Sequence, residues 1–203
     1  MTIVLARKFD QRIVVLSDTM ISDWKDTVPN VLPGRLKSIV VNTWLTVSYS
    51  GLSSQAMDII RSLRTHAGLT TAIAVSVLLS AKDRFDDEIE FILCSHEDRA
   101  RMIKISASGV SEGSDFYWIG CPQAATEISH RHVQSPATKN LPDYISQDEI
   151  DFISTFWNFL KDGVHGSVGG AAINCLCSDF GHCYLTHAGV FAWDTIILGR
   201  DDP

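Results

Sequence analysis

The order in which two apolar periodicities succeed one another limits this chain more than any other feature. Short apolar runs rich in β-branched residues mark strands over 2–7, 12–18, 36–42 and 44–48. Ala56, Ile59, Ile60 and Leu63, then Ile73, Ala74, Val77, Leu78 and Ala81, recur at the three-and-four spacing of a helix face. Strand patterns return over 89–94, 101–106 and 115–119, followed by helical composition over 122–131 and a second helical stripe at Ile150, Ile153, Phe156, Trp157 and Leu160. The chain closes on strand patterns over 171–177 and 182–187 and a last apolar segment around 196–198. Elements with one apolar face must bury it against a neighbour. Two sheets stacked face to face, each covered outside by a helix pair, bury every face this order creates. The expectation is an α+β fold, a four-layer αββα sandwich, built as a single domain over 1–203.

Local signals punctuate the pattern. A charged turn at Lys8 to Gln11 joins the first two strands into a hairpin, and Pro29 and Pro33 deny ladder donors within a polar loop over 21–34. Ser53 and Ser54 are expected to cap the first helix, and the second follows Thr70 and Thr71. Ser146 with Glu149 reads as a capping box, which fixes the start of the fourth helix; that helix ends near Gly163. Two prolines and polar residues over 133–143 predict a loop. No internal repeat or low-complexity tract interrupts this reading.

At 203 residues and 45% hydrophobic content the chain is long enough to bury a substantial core. Its formal charge of -7 repels phosphate backbones, and no basic run interleaved with aromatics offsets it, which argues against a nucleic-acid partner. Arg7, Lys8, Asp10 and Arg12 interrupt the start before signal-peptide length, and no segment approaches the roughly 20 apolar residues of a membrane span. A cytoplasmic protein without a membrane partner is expected. Five cysteines (Cys94, Cys121, Cys175, Cys177 and Cys183) cannot all pair and lie in strand-like surroundings, so reduced thiols are expected.

Chemistry concentrates at the start. A threonine hydroxyl is a weak nucleophile and needs a base; an N-terminal Thr carries one, because its own α-amine has a pKa of about 8. Thr2 directly follows Met1, a setting from which methionine is removed. The segment TIVLARKFDQRIVVLSD, then GRLKSIVV and NTWLTVSYSG, resembles the N-terminal third of proteasome β subunits and of the bacterial HslV peptidase, members of the N-terminal-nucleophile (Ntn) hydrolases. In that family a Thr opens the first strand, an Asp closes the second, a Lys precedes the next strand, and a Gly lies fourteen residues beyond that Lys. Here those places fall on Thr2, Asp18, Lys37 and Gly51, with the Lys-to-Gly spacing kept. Only the loop between Asp18 and Lys37 is longer than the common pattern, by about three residues, and loops tolerate insertion. The resemblance implies that Lys37 lowers the pKa of the Thr2 hydroxyl and amine, that Asp18 anchors the lysine, and that the Gly51 N–H receives the oxyanion.

Later segments carry a weaker likeness: DFYWIGCPQAA resembles the family's strand ending before a helix, and GGAAINCLCSDFGHCYL its late hairpin. Cys121 stands where the family usually has a serine, as a weak donor or a buried thiol. His165 and Val168 replace an Asp and a Ser, with Ser167 at hand to cover part of the lost role. For substrate, the resemblance implies an extended peptide held by Ser22 and Gly51 and a side-chain pocket lined by Arg35, Ile39 and Tyr49, although Ile39 and Tyr49 also read as plain core. It further implies a homo-oligomeric ring enclosing the sites and an ATP-dependent unfoldase as partner. The implied activity is a threonine peptidase cutting unfolded protein or peptide without a cofactor. A non-catalytic scaffold subunit and a small-molecule Ntn amidase are the alternatives. Cys175, Cys177, His182, Cys183 and His187 crowd together, but without a second spaced pair they match metal sites poorly.

Overall fold

The computed structural model describes residues 2–20, 34–85, 89–131, 145–162, 168–186 and 189–192. It is a mixed α/β structure with two antiparallel sheets and four helices among those residues. The first hairpin pairs β1 (Ile3–Phe9) with β2 (Arg12–Ser17) around a turn in which Asp10 takes a positive φ of 53°, a conformation that Asp tolerates better than most residues. A second hairpin, β3 (Ser38–Asn42) and β4 (Leu45–Gly51), leads into α1 (Ser53–Arg64) and α2 (Thr71–Arg84). Then come β5 (Ile89–Ser95), β6 (Arg101–Ser106), β7 (Gly109–Glu112), β8 (Phe116–Gly120), α3 (Pro122–His130) and α4 (Gln147–Asp162). The described chain closes with β9 (Ile173–Ser178), β10 (Gly181–Thr186) and β11 (Gly189–Ala192).

One sheet runs β11-β10-β9-β2-β1-β8 and the other β3-β4-β5-β6-β7. Alternation along the strands sorts their side chains into separate apolar clusters. Ile39, Val47, Tyr49, Phe91 and Ile105 pack against Ala56, Ile60, Leu63, Ala74 and Leu78 of α1 and α2. Ile3, Leu5, Val14 and Leu16 pack against α3 and α4 through Ala124, Ile128, Phe152, Phe156 and Phe159. Their alternate neighbours Val4, Ala6, Ile13 and Val15 meet Val40, Ile92, Cys94 and Met102 of the other sheet. No helix among the described residues is long and apolar enough to cross a membrane.

Several local expectations shift. The first helix has Leu52 at its N-cap with no side-chain cap, so Ser53 and Ser54 lie inside the helix rather than before it. Thr70 does cap α2, accepting from the Ile73 N–H at 3.2 Å. Ser146 and Glu149 form the reciprocal capping box, but Arg12 also reaches Glu149 at 2.7 Å, which ties the helix start to β2. The most buried stripe of α4 is Phe152, Phe156 and Phe159, turned by about one position from the expected one; Ile153, Trp157 and Leu160 flank it. The short strand β7 has no counterpart in the sequence pattern because its residues are mostly polar and exposed. The loops expected over 21–34 and 133–143 and the segment around 196–198 lie largely or wholly outside the described residues.

Candidate active site

Asp18 sits where β2 ends, fully buried, with its backbone N–H donating to the Ile3 carbonyl at 3.3 Å. Its Oδ1 accepts from the Thr2 hydroxyl at 3.3 Å, the Ile3 N–H at 3.0 Å and Lys37 Nζ at 2.9 Å. Thr2 and Lys37 thus converge on a single carboxylate oxygen although 35 positions separate them, a meeting that the β1–β2 pairing and the approach of β3 create. Both are almost wholly enclosed, Thr2 at 6% and Lys37 at 4% exposure. Lys37 donates a second bond to the Met20 carbonyl at 2.5 Å. Burial pulls its ammonium below the usual lysine range, and the charge and hydrogen bond of Asp18 oppose that shift.

A second group of backbone contacts fixes the same place. Asp18 Oδ2 accepts from the Gly169 N–H at 3.2 Å, and the Gly169 carbonyl accepts from the Thr19 and Met20 N–H groups. Gly170 adopts φ +80°, and a Cβ there would stand 2.6 Å from Thr19 Oγ1, so the close approach requires glycine. On the other side, the Cys121 N–H donates to the Thr2 carbonyl at 2.7 Å. Gly120 precedes it at φ +97°, where a Cβ would overlap that carbonyl oxygen.

Of the residues expected at the site, Thr2, Asp18 and Lys37 are brought together. Gly51 ends β4 at φ 94°, exposed, beside the Ser50 hydroxyl that points toward Glu90. Cys121 touches Thr2 through its backbone; its thiol is buried in the cluster under α3 and α4 and faces Gln123 Oε1 at 3.5 Å. Val168 packs in the same cluster. Ser22, His165 and Ser167 lie outside the described residues. Gly120, Gly169, Gly170 and Thr19 escaped the sequence reading as site residues, though two of those glycines form the Gly-Gly pair that opens the late strand and Gly120 ends the quoted strand DFYWIG.

Arg35 leads into β3, exposed, its N–H on the Thr19 carbonyl at 3.0 Å and its guanidinium on Ser54 Oγ at 3.2 Å. It borders a cleft of about 430 Å³ lined by Leu36, Ser54, Met57, Asp58 and Arg61. Ile39 and Tyr49 lie beneath α1 at 0% and 1% exposure. The Tyr49 hydroxyl donates to the Leu36 carbonyl at 3.1 Å, and burial raises its pKa to about 12 despite nearby Arg35.

Set against known proteins, the chain matches no family model and no curated sequence.

The Cys and His residues of the last hairpin part company across the sheet. Cys175 and Cys177 face the other sheet, while Cys183 packs toward the helices with its thiol on the Leu176 carbonyl. All five cysteines are free, and among the described residues no group of three or more His, Cys, Asp or Glu could hold a metal ion. His182 instead joins a chain at the far ends of β2 and β4. His96 Nε2 lies 2.8 Å from the Gln11 carbonyl, His96 Nδ1 lies 2.9 Å from His182 Nε2, and His182 Nδ1 lies 2.8 Å from Thr46 Oγ1. A carbonyl only accepts, so His96 Nε2 carries a proton; with both rings neutral, each remaining contact then has one donor and one acceptor.

Proposed function

We propose that this chain is a threonine-type Ntn hydrolase of the proteasome-like kind, cutting amide bonds through an acyl-enzyme on Thr2. The observation that carries the reading is the buried meeting of the Thr2 hydroxyl and the Lys37 ammonium on one oxygen of Asp18. The two stacked sheets with helix pairs outside support the four-layer αββα arrangement that the reading requires.

In this mechanism, removal of Met1 frees the Thr2 amine. The amine takes the hydroxyl proton through a water molecule as Oγ1 attacks the substrate carbonyl. Lys37 stabilises the developing alkoxide by its charge, and its lowered pKa lessens the cost of sharing a proton with that oxygen. Asp18 holds both side chains and never needs to change its own protonation. The Gly51 N–H receives the oxyanion; having no Cβ, that glycine can hold φ 94° and leaves its amide unshielded. Collapse of the tetrahedral species returns the proton to the leaving amine; water then attacks the ester and regenerates Thr2.

The cleft beside Arg35 suits the side chain preceding the cut bond. Arg35, Asp58 and Arg61 give its mouth charges of both signs, whereas Ile39 and Tyr49, expected to line it, are buried in the core beneath α1 and are not among its lining residues. A peptide or unfolded segment is the proposed substrate, within a ring of identical chains fed by an ATP-driven unfoldase. Intact-mass measurement of the purified protein tests the first requirement: Met1 is expected to be absent. Complete retention of Met1 would falsify the Thr2 mechanism and leave a non-catalytic scaffold of the same architecture.

A further inference from the structure

Glu90 is a carboxylate in the otherwise apolar run IEFILC of β5, and the side of β5 it occupies faces the other sheet. Its Oε2 accepts from the Gly120 N–H at 3.0 Å and from the Ser50 hydroxyl at 3.2 Å. Gly120 belongs to the first sheet and Ser50 to the second, so one oxygen joins the sheets at the end where β4 and β8 finish. Lys104 of β6 lies 3.9 Å from Glu90 Oε1 and donates to the Trp118 carbonyl at 2.9 Å. The pair therefore grips β8 at two points, the Trp118 carbonyl and the Gly120 amide.

The two donors to Glu90 Oε2, Gly120 and Ser50, each lie one step from the proposed chemistry. Gly120 pairs with Ile3 in the β1–β8 register and presses its bare Cα against the Thr2 carbonyl, which also accepts from the next N–H, that of Cys121. Ser50 immediately precedes Gly51, the proposed oxyanion donor, and pairs with Glu90 in the β4–β5 register. Tyr184 and His182 also hydrogen-bond across the sheets, but this tie is the one that links the strand end beside the nucleophile to the strand end that carries the proposed oxyanion N–H.

Resting on the reading of Thr2 as nucleophile, we infer that Glu90 is a positioning residue that sets the separation of Thr2 from the Gly51 amide. The carboxylate touches neither substrate nor nucleophile; it acts through Gly120 and Ser50. A displacement of about 1 Å between reacting groups costs on the order of a hundredfold in rate, so loss of the tie reaches kcat without removing any substrate contact.

The test compares Glu90→Ala with Glu90→Gln, whose amide oxygen still accepts from Gly120 and Ser50. The readouts are kcat and KM for a fluorogenic peptide, the rate of Thr2 modification by a peptide epoxyketone, and hydrogen exchange at the Gly120 amide. Glu90→Ala is expected to lower kcat and the modification rate by roughly tenfold to a hundredfold with KM changed less than about twofold. Its Gly120 amide exchanges faster, and Glu90→Gln recovers most of both effects. Equal losses in the Gln and Ala variants, an effect confined to KM, or wild-type rates in Glu90→Ala overturn the inference. If the Ala variant does not fold, Ser50→Ala takes its place, removing one arm of the tie and leaving the carboxylate; wild-type modification rates there overturn the inference. An unreactive wild-type protein overturns the reading of Thr2 instead, and the tie is then judged by exchange alone, where unchanged Gly120 exchange in Glu90→Ala refutes it.

Discussion

Asp18 accepts four hydrogen bonds, from Thr2, Ile3, Lys37 and Gly169, with its side chain fully buried. Those donors come from three separate segments of chain, around Thr2 and Ile3, Lys37 and Gly169, which makes this carboxylate the point on which the site is assembled. Asp18→Asn removes the charge that compensates Lys37 and turns an amide N–H toward donors that need an acceptor. Breaking one partner of such a buried pair costs about 3–5 kcal/mol, to be read from urea unfolding. Adding Lys37→Met to Asp18→Asn is expected to restore part of that loss, because the orphaned ammonium goes with it; strictly additive costs would contradict the pairing. At this scale the sequence was legible where order and spacing carry a resemblance: Thr2, Asp18 and Lys37 could be named because they fall where the proteasome-like family has its Thr, Asp and Lys. Glu90, Gly169 and Thr19 were not, because they act through backbone groups or across sheets, and a hydrogen bond to a main-chain N–H leaves no fixed spacing in sequence. Even so, an acid within IEFILC was a visible irregularity.

Element by element, the hairpins and helices follow the periodicities that announce them, and the departures have local causes. Helix α4 buries Phe152 and Phe159 beyond the expected stripe, and the Arg12–Glu149 contact ties its start to β2. A β-sheet edge made of polar residues, as in β7, carries no periodic signal. The His96–His182–Thr46 chain is likewise a product of pairing: the turn after β5, the start of β10 and β4 meet only once both sheets are stacked. Its pH consequence has a definite sign. Burial, with His182 adding to it and the Gln11 carbonyl opposing, lowers the His96 pKa below the ordinary value. The unfolded chain then takes up the proton first as pH falls through about 6.5, so this group removes stability on acidification until the folded state also protonates. Urea midpoints between about pH 7.5 and about pH 5.5 should therefore fall less steeply for His96→Gln than for the wild-type protein. Equal slopes would show that the ring is not held neutral.

Over the whole molecule, the order of apolar periods was enough to reach two sheets and four helices, because each one-sided element has few ways to hide its face. Sheet order was not legible. Nothing in the linear pattern says that β8 docks on β1 or that β9 docks on β2, yet these pairings bring Gly120, Cys121 and Gly169 to the start of the chain. The site is thus a property of the assembled sheets, with its first three residues written in the sequence and its supports supplied by topology. Treatment with a peptide epoxyketone followed by peptide mapping tests whether this assembly makes a nucleophile. The account predicts one adduct, carried by Thr2, in the wild-type protein and none in folded Lys37→Ala; a wild-type protein left unmodified at Thr2, or a Lys37→Ala variant modified as readily as the wild type, would contradict it.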